Sequence, residues 1–155
     1  MKVLPFDIST ASPELQSRLT KRPALNLYKA LPYAGALAPR FLDMGAAIRN
    51  ELTLDARLRE LAIVRVGTLT KAEYEIRHHK RIGASVGVPD VQLAHVDDWR
   101  AAPADVFDSL ERRVLEYTDA LTQQVKAPEP LFDALARELG PPRLAELTLT
   151  IGFYL

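Results

Sequence analysis

One stretch of the sequence, from about Ala56 to Leu69, is apolar on almost every side when it is drawn as a helix. A helix of this kind has no face suited to water, so other helices of its own chain or of a second subunit must cover it. The stretch therefore predicts a central buried helix, and it favours a homo-oligomer. Its apolar residues are Leu58, Leu61, Ala62, Ile63, Val64, Val66 and Leu69.

The rest of the chain is divided by eleven prolines into further helical segments. Ser12 followed by Pro13 has the residue types of a helix N-cap and first helical position. No segment alternates polar and apolar residues for long enough to indicate a strand. The sequence therefore predicts an all-α protein. The main helices are expected at 39–52, 56–69, 71–86, 105–125 and 131–139, with a last helix opened by Pro141.

A weak internal repeat supports this helical organisation. The segment RLREL at 57–61 is matched by RLAEL at 143–147, and each copy leads into an apolar helix. The repeat predicts two similar helix pairs that pack together. We expect residues 1–34 to form an N-terminal extension that packs on a helical domain of residues 35–155, whose last helix is expected to continue beyond Leu155.

Composition narrows the possible partners and chemistry. The 155 residues include 20 lysines and arginines and 20 aspartates and glutamates, so the formal net charge is zero. Binding to nucleic acid requires a basic stripe, and a nucleic-acid partner is therefore not expected. There is no cysteine, which excludes disulfides, thiolate nucleophiles and zinc–cysteine sites. The sequence contains no apolar run of about 18 residues, so a membrane-spanning helix is not predicted. Without a signal peptide's long apolar region at the N-terminus, a cytoplasmic location is expected.

Two ionisable residues stand where the helix at 71–86 should be apolar. Glu75 and His79 lie one turn apart in the middle of the face that also carries Ile76, Ile82 and Val86. Burying a carboxylate and an imidazole is costly unless they are paired. Proton chemistry is one reason to retain such a pair, because imidazole exchanges protons near neutral pH.

Other interpretations of these residues remain open at this point. Glu75 and His79 can form a buried ion pair that only fixes helix packing or a subunit interface. Glu60 can simply cap its helix or form a salt bridge with Arg57 or Arg59 near the helix start. Glu75 and His79 can also be two metal ligands on one helix face, completed by Glu60 and His78, although a second set of ligands on another helix is missing. Tyr74 is a candidate pocket wall, and His78 is expected at a cavity edge or in solvent.

The segment from Glu60 to His79 resembles the carboxymuconolactone decarboxylase superfamily, which includes the alkylhydroperoxidase D (AhpD)-like proteins. That family's peroxidase pattern has a glutamate, two cysteines and a histidine. At the same spacing this chain has Glu60, Ala72, Glu75 and His79, so the glutamate and histidine are in place and both cysteines are missing. The resemblance extends over about residues 35–155.

The resemblance implies an AhpD-like helical bundle in which glutamate and histidine relay protons. Without thiols a peroxide-reducing cycle cannot run, so the resemblance is rather to the decarboxylase branch, which needs neither thiol nor metal. The expected function is cofactor-free acid/base chemistry on a small organic acid or lactone. His79 would be the general acid/base, Glu60 would orient it and Glu75 would raise its basicity, with Tyr74 and His78 binding substrate. The alternatives are a non-catalytic oligomeric scaffold and a peroxidase homologue without thiol activity.

Overall fold

The computed structural model of the protein describes residues 4–22 and 25–155. These residues form α-helices joined by short turns and 3₁₀ segments, and they contain no strand, which confirms the all-α prediction. No helix within the described ranges is long and apolar enough to cross a membrane. The α-helices are α1 (Pro13–Thr20), α2 (Asn26–Ala30), α3 (Leu37–Asn50), α4 (Ala56–Thr70), α5 (Glu73–Ser85), α6 (Asp90–His95), α7 (Ser109–Gln124) and α8 (Glu129–Tyr154).

The chain folds as two compact units, Met1–Glu51 and Leu52–Leu155. The domain boundary expected after residue 34 stays a prediction. In the first unit, the Ser12 hydroxyl accepts a hydrogen bond from the backbone N–H of Leu15, as expected for the N-cap of α1. The expected helix at 39–52 begins two residues earlier, at Leu37. The core of this unit is a small cluster of Leu15, Leu19, Ala38 and Leu42.

The second unit is built around α4, which is buried without interruption from Leu58 to Gly67. Helices α5, α7 and α8 all pack against it. The prediction of a central buried helix is therefore confirmed, and the same chain supplies the cover. Asp55 caps the start of α4 by accepting hydrogen bonds from the backbone N–H groups of Arg57 and Leu58.

A tight turn reverses the chain between α4 and α5. Lys71 was expected to lie inside the helix at 71–86. It instead ends α4 in the left-handed conformation, with φ 58°. The two helices then run back along each other, and glycines allow close contact. A Cβ added to Gly67 would lie 3.1 Å from a side-chain carbon of Ile76, and one added to Gly83 would lie 3.2 Å from Leu93 and 3.6 Å from the Cβ of Glu60. This close packing brings Glu60 alongside α5.

The carboxyl-terminal part of the unit completes the cover over α4. Helix α7 begins at Ser109 rather than at the expected residue 105, because Asp108 and Glu111 form a capping box there. Helix α8 contains a break at Gly140, whose φ of 75° and ψ of 158° are not helical. The two expected helices on either side of Gly140 are thus present, joined end to end.

Candidate active site

The centre of the candidate site is a hydrogen bond between α4 and α5. His79 Nδ1 lies 2.7 Å from Glu60 Oε2. Both residues are buried, with 2% of His79 and none of Glu60 exposed. The antiparallel packing of the two helices therefore joins the two family-motif residues across 19 positions of sequence. A buried hydrogen bond between a carboxylate and an imidazole fixes the orientation of the ring.

Arg59 completes the environment of the Glu60 carboxylate. Its Nε donates a hydrogen bond of 2.9 Å to Glu60 Oε1, and the Arg59 side chain is itself buried. The guanidinium supplies the positive charge that a buried carboxylate requires. Because a carboxylate can only accept hydrogen bonds, the hydrogen between the two groups sits on Nδ1 of His79. The other ring nitrogen, Nε2, is left for proton exchange.

Glu75 occupies the Nε2 side of the ring. Its Oε2 lies 3.5 Å from His79 Nε2, one helical turn away. This distance suits an ion pair but is long for a strong hydrogen bond. The Glu75 side chain is 31% exposed, so it is less buried than its position on the apolar face suggested. The site is therefore asymmetric, with a closed Glu60 side and a more open Glu75 side.

Aromatic rings surround His79. The rings of Tyr74 and His78 are stacked, with centroids 5.6 Å apart, and His78 meets His79 edge to face at 5.2 Å. Tyr154 of α8 packs edge to face against His79 on another side, at 4.9 Å. The structure thus brings together the five residues expected from the sequence and adds Tyr154.

His78, which was expected at a cavity edge or in solvent, is half-buried. Burial lowers the pKa of His78 below the usual range of a histidine, and the neighbouring charge of His79 lowers the pKa further. The charges of Glu75 and Glu60 act in the opposite direction. His78 is therefore held in its neutral form more strongly than a free imidazole would be, which suits hydrogen bonding and stacking.

Arg59 and Tyr154 were not assigned a role in the chemistry from the sequence. Arg59 was expected only as one possible salt-bridge partner of Glu60 near the start of its helix, and the structure shows that contact. Tyr154 gave no signal, because its contact with His79 depends on how α8 packs.

The metal-site alternative gains no support: within residues 4–22 and 25–155, no group of three or more histidine, aspartate or glutamate side chains is arranged to hold a metal ion.

Comparison with known proteins decides the family. The sequence profile of the carboxymuconolactone decarboxylase family matches residues 35–120, which is more than half of the chain. The chain belongs to this family. The matched range includes Arg59, Glu60, Glu75 and His79, while Tyr154 lies outside it. The resemblance drawn from the glutamate-to-histidine spacing is thereby confirmed.

A solved structure shares the fold of this carboxymuconolactone decarboxylase family member. It is a protein of unknown function from Agrobacterium tumefaciens, provisionally named as the antioxidant defence protein AhpD. The two structures are similar with a TM-score of 0.72 at 20% sequence identity, over 86% of this chain and 88% of the other. At 20% sequence identity this similarity shows a shared fold and nothing about function. No functionally curated protein is significantly similar to this sequence.

Proposed function

We propose that this protein is an acid/base enzyme that acts without a cofactor on a small organic acid or lactone, in a decarboxylation or a related lyase step. One observation carries the proposal. His79 is locked through Nδ1 to a fully buried Glu60, while its Nε2 is directed toward the partly exposed side chain of Glu75. A histidine held in this way can take and give protons at one defined atom.

Each residue then has a distinct role in the reaction. In a decarboxylation the bond to the carboxyl carbon breaks, carbon dioxide leaves, and the electron pair moves into a conjugated carbonyl group. The protonated ring of His79 delivers one proton from Nε2 to the carbon, and the ring later regains a proton from solvent. Glu60, backed by Arg59, orients the ring and stabilises its charged form. Glu75 adds a second carboxylate on the Nε2 side of the ring, 3.5 Å from that atom.

Tyr74 and His78 are proposed to contact the substrate. They stack on each other beside His79, and Tyr74 is 48% exposed. Flat π surfaces of this kind pack well against a planar unsaturated ring or a conjugated acid. They would hold the reacting carbon near Nε2 while leaving the proton transfer to His79.

The proposal can be tested with carboxymuconolactone and a small panel of unsaturated lactone carboxylates. The wild-type protein is expected to release carbon dioxide from at least one of them. His79→Gln should lower kcat/KM by about 10²–10⁴, the usual range for losing a general acid/base. Glu60→Gln should lower it by roughly tenfold or more, because the ring loses its orienting charge.

The matched control is His95→Gln. His95 hydrogen-bonds the carbonyl of Val91 within its own short helix, so its replacement should leave turnover unchanged. Release of carbon dioxide that is equally fast in the wild type and in His79→Gln would contradict the proposal, as would its absence with every compound.

A second candidate function is a non-catalytic oligomeric scaffold. The burial of Glu60 and His79 favours it, because a buried ion pair that only fixes helix packing needs no access to solvent. In that case His79→Ala would lower the free energy of unfolding by roughly 2–4 kcal/mol, because Glu60 Oε2 loses its buried hydrogen bond and a cavity is left, with no turnover to lose. Chemical denaturation measured alongside the carbon dioxide assay separates the two functions.

The antioxidant name of the Agrobacterium tumefaciens protein suggests a third possibility, a peroxidase homologue. In this chain the positions of the family's two cysteines hold Ala72 and Glu75, and the sequence contains no cysteine elsewhere. A thiol-dependent cycle has no sulfur nucleophile to start from. The carboxylate at position 75 is better suited to proton chemistry.

A further inference from the structure

The two sides of the His79 ring differ in the charged groups that neighbour them. On the Nδ1 side, the positive Arg59 guanidinium offsets the negative Glu60 carboxylate at 2.9 Å. On the Nε2 side lies the Glu75 carboxylate, whose Oε2 is 3.5 Å away. A molecule that approaches Nε2 therefore meets a negative charge first.

The position of Glu75 is set by packing. Its Cβ lies 3.6 Å from the position that a Cβ on Gly67 would occupy, so the stem of the side chain rests against α4. Glu75 also lies in the first turn of α5, where the partial positive charge of the helix N-terminus favours a carboxylate. The stem of Glu75 thus rests on α4, with its carboxylate 3.5 Å from Nε2.

We propose that Glu75 is a specificity-determining residue that admits only an uncharged group to Nε2 of His79. The group that meets Nε2 would be the neutral part of the substrate, such as a lactone carbonyl, an enol or a C–H carbon beside a carbonyl. A carboxylate of the same substrate would bind turned away from Nε2. This inference rests on the proposed function, which makes Nε2 the reacting atom.

The physical reason is like-charge repulsion at short range. A carboxylate that accepts a hydrogen bond from protonated Nε2 would lie within contact distance of the Glu75 carboxylate, in a partly desolvated place where screening by water is weak. A glutamine at position 75 has nearly the same shape without the charge, and its amide N–H group can donate to an anion. The substitution should therefore turn a neutral-selective site into one that accepts carboxylates.

The test uses binding, so that it does not depend on turnover. Histidine labelled with ¹⁵N reports on Nε2 of His79 by NMR, while acetate or γ-butyrolactone is added at constant ionic strength. In the wild type, the His79 signal should respond to the lactone at lower concentration than to acetate. In Glu75→Gln, the Kd for acetate should fall by about tenfold or more, with little change for the lactone.

Glu73→Gln is the matched control, because Glu73 lies in the same first turn of α5 and is exposed. It removes the same charge from the same helix end and should behave like the wild type. Glu75→Ala provides a second variant without the new amide donor, and it should also bind acetate more tightly than the wild type.

The outcomes separate this inference from the proposed function. If acetate binds equally well to the wild type and to both Glu75 variants while the lactone still perturbs His79, the selectivity role of Glu75 is wrong and the acid/base proposal stands. If Glu73→Gln strengthens acetate binding as much as Glu75→Gln, the effect is one of general charge and the inference is also wrong. If neither probe perturbs His79 in any protein, both proposals fail.

Discussion

At the scale of single residues, the second unit contains another buried charge that has a structural role. Asp119 of α7 is buried and accepts hydrogen bonds from Arg65 Nε at 2.5 Å and from Trp99 Nε1 at 3.2 Å, and it also pairs with Arg100. Arg65 in turn donates to the carbonyl of Asp97 at 2.7 Å. The network ties α4 and α7 to the turn after α6, away from the Glu60–His79 pair.

Burial alone would raise the pKa of Asp119, but the hydrogen bonds from Arg65 and Arg100 outweigh it, so the pKa is lowered overall. A carboxyl group with a lowered pKa stabilises the fold above its unfolded-state pKa of about 3.9. That contribution is lost as the pH falls through the lower, folded-state value. We therefore expect the free energy of unfolding to decrease below about pH 4, and part of this decrease to be absent in Asp119→Asn.

The same substitution should cost stability at neutral pH, by roughly 2–4 kcal/mol, because it leaves the buried Arg65 guanidinium without its counter-charge. Denaturant unfolding at pH 7 and at a series of acidic pH values measures both effects. Asp98→Asn is the control, since Asp98 is exposed and its replacement should change stability by no more than about 0.5 kcal/mol. An Asp119→Asn protein as stable as the wild type would contradict the structural role.

The sequence predicted some residues of the candidate site well and others not at all. Glu75 and His79 stand out because helical periodicity makes a charged residue on an apolar face conspicuous, and Glu60 follows from the family spacing. Periodicity describes only one helix at a time. It could not decide whether Glu60 pairs with Arg57 or with Arg59, and it could not show that Tyr154 packs on His79. Both contacts depend on how side chains meet in the folded unit.

At the scale of elements, the two copies of the internal repeat have different structural roles. Glu60 and Glu146 occupy matching positions in the two copies. Glu60 binds His79, whereas the Glu146 carboxylate accepts hydrogen bonds from the backbone N–H groups of Thr53 and Leu54, at 3.0 and 2.7 Å. One copy therefore supports the candidate site and the other anchors the chain that leads into α4.

Helix boundaries were predicted less well than the helices themselves. The start of α7 was expected four residues too early, because the capping box at Asp108 was not recognised. The end of α4 was predicted to within a residue, but Lys71 was placed in the next helix. Such errors arise because capping and left-handed turn residues depend on one or two side chains, while the apolar pattern extends over several turns.

The break in α8 gives a prediction at this scale. Gly140 has φ 75° and ψ 158°, a conformation that only glycine adopts readily. A Cβ added to Gly140 would have no neighbour closer than 3.9 Å. The loss of stability in an alanine variant would therefore come from backbone strain and not from steric crowding. Gly140→Ala should lower the free energy of unfolding by about 1–3 kcal/mol.

Gly152 provides the matched control in the same helix. It is exposed, has ordinary helical geometry, and a Cβ there would meet nothing within 4 Å. Gly152→Ala should therefore raise the free energy of unfolding, by about 0.5–1 kcal/mol. Thermal and denaturant unfolding of the two variants should move in opposite directions, and equal shifts would mean that the break at Gly140 is not a strained position.

At the scale of the whole molecule, the prediction of a homo-oligomer needs a different reason from the one the sequence suggested. Helix α4 was expected to be covered by its own chain or by a second subunit, and helices of its own unit already bury it from Leu58 to Gly67. Several apolar side chains of that unit remain exposed outside α4. Two of them lie on α8, where Phe132 is 46% exposed and Leu149 is 59% exposed.

We therefore expect the protein to associate through α8 and to sediment as a dimer or larger species at micromolar concentration. Burying a leucine contributes about 1.5–3 kcal/mol, so Leu149→Lys should weaken association by roughly tenfold or more. Val125→Lys changes a side chain that is 83% exposed in the loop after α7 and should leave association unchanged. A wild-type protein that sediments as a monomer would contradict the expectation, and a dimer insensitive to Leu149→Lys would place its interface on another surface.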